Sequence, residues 1–224
     1  LKQDFSEVKA VTGISAFTSD GAIIRYVNKS KKLVPLEKFS GLYADSSFFD
    51  VFSFPLKTGN AARVLDEPFS AVISESMASE YFNNDAIGTI LEFRDDVNVK
   101  QLKITGVMKE APENSHVKFD LLVNIPDDGR TFFDRQTSFW DWGSHTYVLF
   151  DERVRPGRIE AELDKLAIAN NSLKRNKDDY GQVSTFRFQP LADIHLFSQL
   201  DYEFEPTGNY GLKIFWNGGH SSGI

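Results

Sequence analysis

Apolar and polar residues alternate with period two over many short runs, and in a few places they settle instead into a helical stripe. Gly13–Phe17 (GISAF) and Ala22–Val27 (AIIRYV) flank the turn signal Ser19-Asp20-Gly21, which predicts a hairpin. Glu37–Asp45 (EKFSGLYAD) alternates again. It leads into SSFFDVFSF, where Phe48, Phe49, Val51 and Phe52 predict a short helix started by Ser46 or Ser47 and ended before Pro55. Leu56–Pro68 reads as a surface connection with a turn at Gly59-Asn60. Ser70–Phe82 (SAVISESMASEYF) is a buried strand running into a helix with Met77, Ala78, Tyr81 and Phe82 on one face. GTILEF and QLKITGVM, around Arg94-Asp95-Asp96, predict a second hairpin. APENSH is a loop, VKFDLLVNI a strand closed by Pro126, and HTYVLF another strand. Pro156 opens the clearest helix, with Ile159, Leu163, Leu166 and Ile168 as its apolar stripe, and STFRFQPLADIHLF returns as extended chain. Strands outnumber helices without a repeating strand–helix alternation, so the expected class is α+β rather than a doubly wound sheet.

Composition adds a core and removes several functions. A chain of 224 residues that is 41% hydrophobic and 25% charged is ordinary for a globular protein. At this size roughly 70–75% of the unfolded surface is buried on folding. Aromatic content is dominated by 20 Phe against 7 Tyr and 3 Trp, and Phe carries apolar area without a polar handle, which places most of it in cores or buried interfaces. The net charge of −7 is the reverse of a phosphate-binding footprint, and nucleic acid is not an expected partner. The two cationic stretches, Lys29-Ser30-Lys31-Lys32 and Lys174-Arg175-Asn176-Lys177, read as solvated faces. With no cysteine, disulfides, thiolate metal sites and cysteine nucleophiles are excluded. No run approaches the ~20 apolar residues of a membrane helix and no signal peptide opens the chain. Leu1 and the ending NGGHSSGI read as an excised piece of a longer polypeptide, with 217–224 a small-residue tail or linker.

Candidate chemistry is sparse. Ser74 and Ser76 sit where a strand turns into a helix, the layout of a nucleophile elbow. That turn needs small residues two positions either side of its serine. Ser74 has Val72 and Ser76 there, and Ser76 has Ser74 and Ala78. Ser74 is therefore read as an N-cap, with Glu75 placed where the helix dipole favours an anion. His116, His145, His195 and His220 show no metal-ligand spacing, and neither a P-loop nor a G-x-G-x-x-G motif occurs. Trp140 and Trp142 around Asp141, with Asp201, Glu203 and Glu205 at alternate positions, have the residue types of a sugar site. The plainer reading is two anchoring tryptophans and one wet face of an extended segment. Asn28-Lys29-Ser30 and Asn170-Asn171-Ser172 match a glycosylation acceptor pattern that matters only in a eukaryotic secretory pathway. No catalytic, cofactor-binding or metal residue is assigned, and the emptiness of the inventory points to binding or force transmission.

Several stretches together resemble the extracytoplasmic core domain of MacB-type ABC transporter permeases, in the form common in Bacteroidetes-like bacteria. They are Phe48–Asn60, Ser70–Phe82 followed by Ile87-Gly88, Ile104–Val123, His145–Phe150, Leu191–Phe197 and Glu205–Asn209. Each is a packing or turn motif, and their order and spacing carry the resemblance across nearly the whole chain. Ala86 stands where the family usually has proline. LKIFW stops at Trp216, where the family runs on into a membrane helix.

The resemblance implies a porter-like subdomain of β-α-β units at 1–55 and 111–216, with a smaller β-rich subdomain inserted at 56–110. It implies placement in the periplasm on a cell inner membrane, with both ends of the domain leaving from the same pole. The implied partners are a second permease half, a cytoplasmic ABC ATPase acting through membrane helices, and a periplasmic adaptor or exported substrate. The implied function is non-catalytic coupling of ATP hydrolysis to export or lipoprotein release. A stand-alone carbohydrate- or ligand-binding module using Trp140 and Trp142 is the alternative, and a hydrolase using Ser74 or Ser76 a distant third.

Overall fold

The computed structural model describes residues 1, 3–19, 22–94, 99–112, 115–124, 144–151, 154–169, 185–191 and 212–217. Among them lie β1 (Val8–Thr18), β2 (Ile23–Val27), β3 (Leu33–Pro35), β4 (Ser40–Ala44), α1 (Phe48–Val51) and β5 (Leu56–Thr58). β6 (Ser70–Ser74), α2 (Glu75–Phe82), β7 (Ile90–Arg94), β8 (Val99–Met108) and β9 (Leu121–Asn124) follow. The chain continues through β10 (Ser144–Phe150), a helix numbered α3 here (Pro156–Ala169), β11 (Thr185–Pro190) and β12 (Leu212–Asn217). The strands form one mixed sheet in the order β11-β12-β10-β1-β4-β9-β6-β8-β7-β2-β3, with β5 paired to β8 off that path. This is the α+β class expected from the alternation.

β6 is the hub. All five of its residues are buried, with β9 antiparallel on one side and β8 parallel on the other. Its side chains alternate between two cores. Ala71 and Ile73 join Met77, Ala78 and Phe82 of α2 together with Ile24, Leu91, Phe93 and Leu102. Val72 faces the other way, into Phe48, Phe52, Val117, Phe119 and Tyr147. A third cluster gathers Phe5, Val8, Val11, Val148 and Ile159, and the stripe residue Leu163 of α3 packs against it. The side chains of Leu166 and Ile168 lie outside the described residues.

Three expectations are corrected. β1 and β2 do not form a hairpin: β1 lies between β10 and β4, and β2 between β7 and β3. The reason is packing, since Ile14 of β1 and Ile24 and Tyr26 of β2 belong to different cores. The stretch after Pro55 is not merely a surface connection either. It contributes β5 and sends Val64 and Leu65 into the second core. Among the described residues of VKFDLLVNI, Leu121–Asn124 is strand and Val117–Asp120 is not. Val117 and Phe119 are buried from irregular chain, and Asp120 accepts from both the amide and the hydroxyl of Ser40 at 2.9 Å. The backbone carbonyl of Asp120 accepts from the Ser74 amide at 2.8 Å, so one residue pins β4 and β6 together.

The two strands nearest the ends of the sequence both border β10 antiparallel and so run in the same direction. Val8 pairs with Phe150, while β12 runs from Leu212, opposite Val148, toward the Ser144 end of β10. At the level of these strands the same-pole expectation is not met. Strands of 23–35 also pair with those of 90–108, so the sheet is continuous across residue 56.

Candidate functional site

The strand-to-helix turn at Ser74 is built as a cap. Ser74 is fully buried, and its hydroxyl accepts from the Met77 amide at 3.2 Å and lies 3.0 Å from the Ser76 hydroxyl. Extended backbone at Ser74 (φ −68°, ψ 159°) is the conformation an N-cap requires. The next free amide, that of Ser76, donates to Glu110 Oε1 at 2.8 Å. Lys57 Nζ stands 3.1 Å from Glu75 Oε2, and this hydrogen bond holds the partly buried Glu75 carboxyl below its ordinary range. Two first-turn donors are thus satisfied by Ser74 and Glu110. Sequence reasoning found Ser74 and missed Lys57 and Glu110, which arrive from β5 and from the end of β8 with no local signal. Ser74→Ala is expected to cost about 1 kcal/mol of stability, by loss of a cap, and Ser76→Ala about 0.5 kcal/mol or less, as a shift in urea midpoint at unchanged slope.

A second polar cluster joins β1 to the start of α1. Asp45 accepts from the Thr12 hydroxyl and the Gly13 amide, both at 3.0 Å, and from the Ser47 amide at 2.8 Å. Burial pushes its carboxyl above the ordinary range, and the amides of Gly13 and Ser47 and the Thr12 hydroxyl pull against that push. The raised direction means the folded state binds the proton more tightly than the unfolded one. Its stabilising contribution is therefore complete below the ordinary carboxylate range and lost as pH rises through the folded value. Asp45→Asn leaves a buried amide without an acceptor and is expected to cost roughly 1–3 kcal/mol. The cost should be larger near pH 4 than at pH 7, checked by urea titrations across that range. An Asx turn, Asp45 two residues before Ser47, is the local signal that could have revealed this contact, and the sequence analysis did not single it out.

His116 is a core histidine. Its Nε2 is 3.2 Å from the buried Tyr147 hydroxyl, and its ring lies beside Phe52. His145 lies on β10 opposite Ile14. His195, His220, Trp140, Asp141, Trp142, Asp201, Glu203 and Glu205 lie outside the described residues, and so does the sugar-site reading that depends on them. Among the described residues, no group of three or more acidic or histidine side chains could hold a metal ion. No described helix is long and apolar enough to cross a membrane.

At the far edge of the sheet one face is open. The inward face of β2, β7 and β8 carries Ile24, Leu91, Phe93, Leu102 and Ile104 into the first core. Ile23, Val27, Leu33, Ile90 and Val99 point outward, each between 46% and 61% exposed. Beneath α2, a recess of about 300 Å³ is bounded by Tyr26, Tyr81, Asn83 and Asp85, with Lys29 paired to Asp85 at 3.0 Å across its edge.

With that geometry in hand, comparison with known families is decisive. The family model of the MacB-like periplasmic core domain matches residues 1–166. The chain belongs to this family. A solved structure of a domain of a candidate permease from Porphyromonas gingivalis is similar in fold, with 21% identity and a TM-score of 0.56 over 78% of this chain and 76% of that one. Among curated proteins none matches. As a MacB-like periplasmic core domain, the chain is an extracytoplasmic part of an ABC transporter permease, a membrane protein. The family is one of non-catalytic periplasmic domains, in keeping with a Ser74 hydroxyl spent on capping. Its signal was legible in the sequence because packing motifs such as Ser70–Phe82 and Ile104–Val123 form the hub strand, its helix and the neighbours on either side.

Proposed function

We propose that this domain couples ATP hydrolysis by a cytoplasmic ATPase to substrate export or lipoprotein release, by mechanotransmission from membrane helices. The observation that carries the reading is the family match over residues 1–166, laid on a sheet that is hydrogen-bonded without interruption from β11 to β3. A continuous ladder moves as a body, so displacement delivered near β1 or β12 reaches the far edge. The proposed partners are a second permease half, the ATPase, and an adaptor or the exported substrate. The proposed location is the cell inner membrane with this domain in the periplasm. The division into 1–55 with 111–216 and an insert at 56–110 remains part of the proposal. β2 and β3 then lean on the insert's strands through the pairing of β2 with β7.

The absence of cysteine from this chain supplies the test. Ala61→Cys on the exposed turn after Gly59, in a full-length permease with any cysteine outside this domain replaced, gives one spin label per protomer. The distance between the two labels, read by pulsed EPR, is expected to shift by several ångström between nucleotide-free and vanadate-trapped states. Identical distributions in both states would sink mechanotransmission through this domain.

A further inference from the structure

We propose that the open sheet face at the far edge is a docking surface for a polypeptide segment that combines aliphatic side chains with carboxylates. Register lines up one row across four strands. Val27 pairs with Leu33, the pairing of Tyr26 with Leu91 sets Val27 beside Ile90, and Ile90 pairs with Lys103. The row thus reads Leu33, Val27, Ile90, Lys103 at ~4.8 Å spacing. All the large apolar side chains more than a third exposed among the described residues lie between Ile23 and Val99, five of them on this face. A concentration of this kind marks an interaction surface.

Charge identifies the occupant. The chain is net −7, yet this row ends in Lys103 and is bordered by Lys31 and Lys32 of the β2–β3 turn, all three exposed. None of the three forms an ion pair among the described residues. The turn is held in place, because Asn28 Oδ1 accepts from the amides of Ser30 and Lys32 at 3.0 Å. Lys31 has a left-handed backbone (φ 60°), which closes the turn and leaves its side chain exposed. A basic border around an aliphatic row complements an acidic amphipathic segment, whereas two copies of the same face would set lysines against lysines. Addition of a strand at the edge is disfavoured, since β3 has three residues and ends in Pro35, which has no amide to donate. A bilayer is the poorer occupant, because the chain as a whole carries a net charge of −7 and an anionic lipid surface repels it.

The test places a photo-crosslinking benzoylphenylalanine at Val27 of the full-length protein in its own cells, with the same residue at Ala61 as control. The expected product is an adduct at Val27, and not at Ala61, to a second polypeptide whose attached segment carries aliphatic residues and Asp or Glu. Its yield should fall several-fold in a Lys31→Gly, Lys32→Glu, Lys103→Glu variant. An adduct to lipid, to another copy of this chain, or to a segment without carboxylates overturns the proposal. So does an adduct indifferent to the charge changes, or no adduct at normal protein levels. The spin-label distances at Ala61, measured separately, show whether the transport reading fails with it or survives it.

Discussion

Phe48→Ala is expected to lower the stability of the domain by about 3–5 kcal/mol, enough to consume a large part of what a fold of this size possesses. Phe48 is fully buried at the first position of α1. Its ring lies 4.9 Å from that of Phe52, 5.7 Å from Phe54 and 5.6 Å from Phe119, in tilted, stacked and edge-on arrangements. Truncation opens a void bounded by the rings of Phe49, Phe52, Phe54 and Phe119, on a helix of four residues that has little intrinsic stability with which to reposition itself. Phe49, only partly buried on the rim of the same cluster, supplies the control. Phe49→Ala should cost clearly less, and equal losses for the two in urea unfolding would show that the cluster is not centred on Phe48.

Gly59→Ala is the second large effect, about 2–4 kcal/mol, because strain and overpacking add. Gly59 has φ 110°, a conformation L side chains rarely adopt. A methyl group there would come to 2.8 Å from Val64 Cγ1 and 3.1 Å from the carbonyl oxygen of Thr105. Thr105 is backbone of β8 and cannot step aside, and Val64 already lies against Gly106 as well as Gly59. The expected signature is a lower urea midpoint with unchanged slope. Gly88→Ala is the comparison: its φ of 83° gives the same kind of strain with open space around the new methyl, and it should show only the smaller strain cost.

These two positions show what the sequence could and could not convey. The turn at Gly59-Asn60 was legible, since glycine punctuates chains for a local reason. What Gly59 packs against was not, because Val64 looked like one apolar residue in a polar connection. The same division runs through the fold. The β7–β8 hairpin, the strand before α2, the Ser74 cap, the helix at Phe48 and the helix after Pro156 rest on neighbours in sequence and were read correctly. The false β1–β2 hairpin came from a sound turn signal overridden by tertiary packing, because Ile14 of β1 and Ile24 of β2 are buried in different cores. At the helix start, Ser74 was visible, whereas Glu110 is 34 residues along the chain from Ser76, whose amide it accepts from, and could be found only in three dimensions.

The position of β1 has a consequence in time. Its partners are β4, which follows closely, and β10, whose last paired residue is Phe150. At a synthesis rate of about 5–20 residues per second, β1 waits roughly 7–26 s after its own completion at Thr18 before Phe150 has been made. Through that interval the longest of the described strands offers, on the side that β10 later covers, a bare row of amides and carbonyls to any passing chain. The nascent protein is therefore most exposed to mispairing at the strand made first, and a chaperone that recognises unpaired strand edges would be needed there before anywhere else.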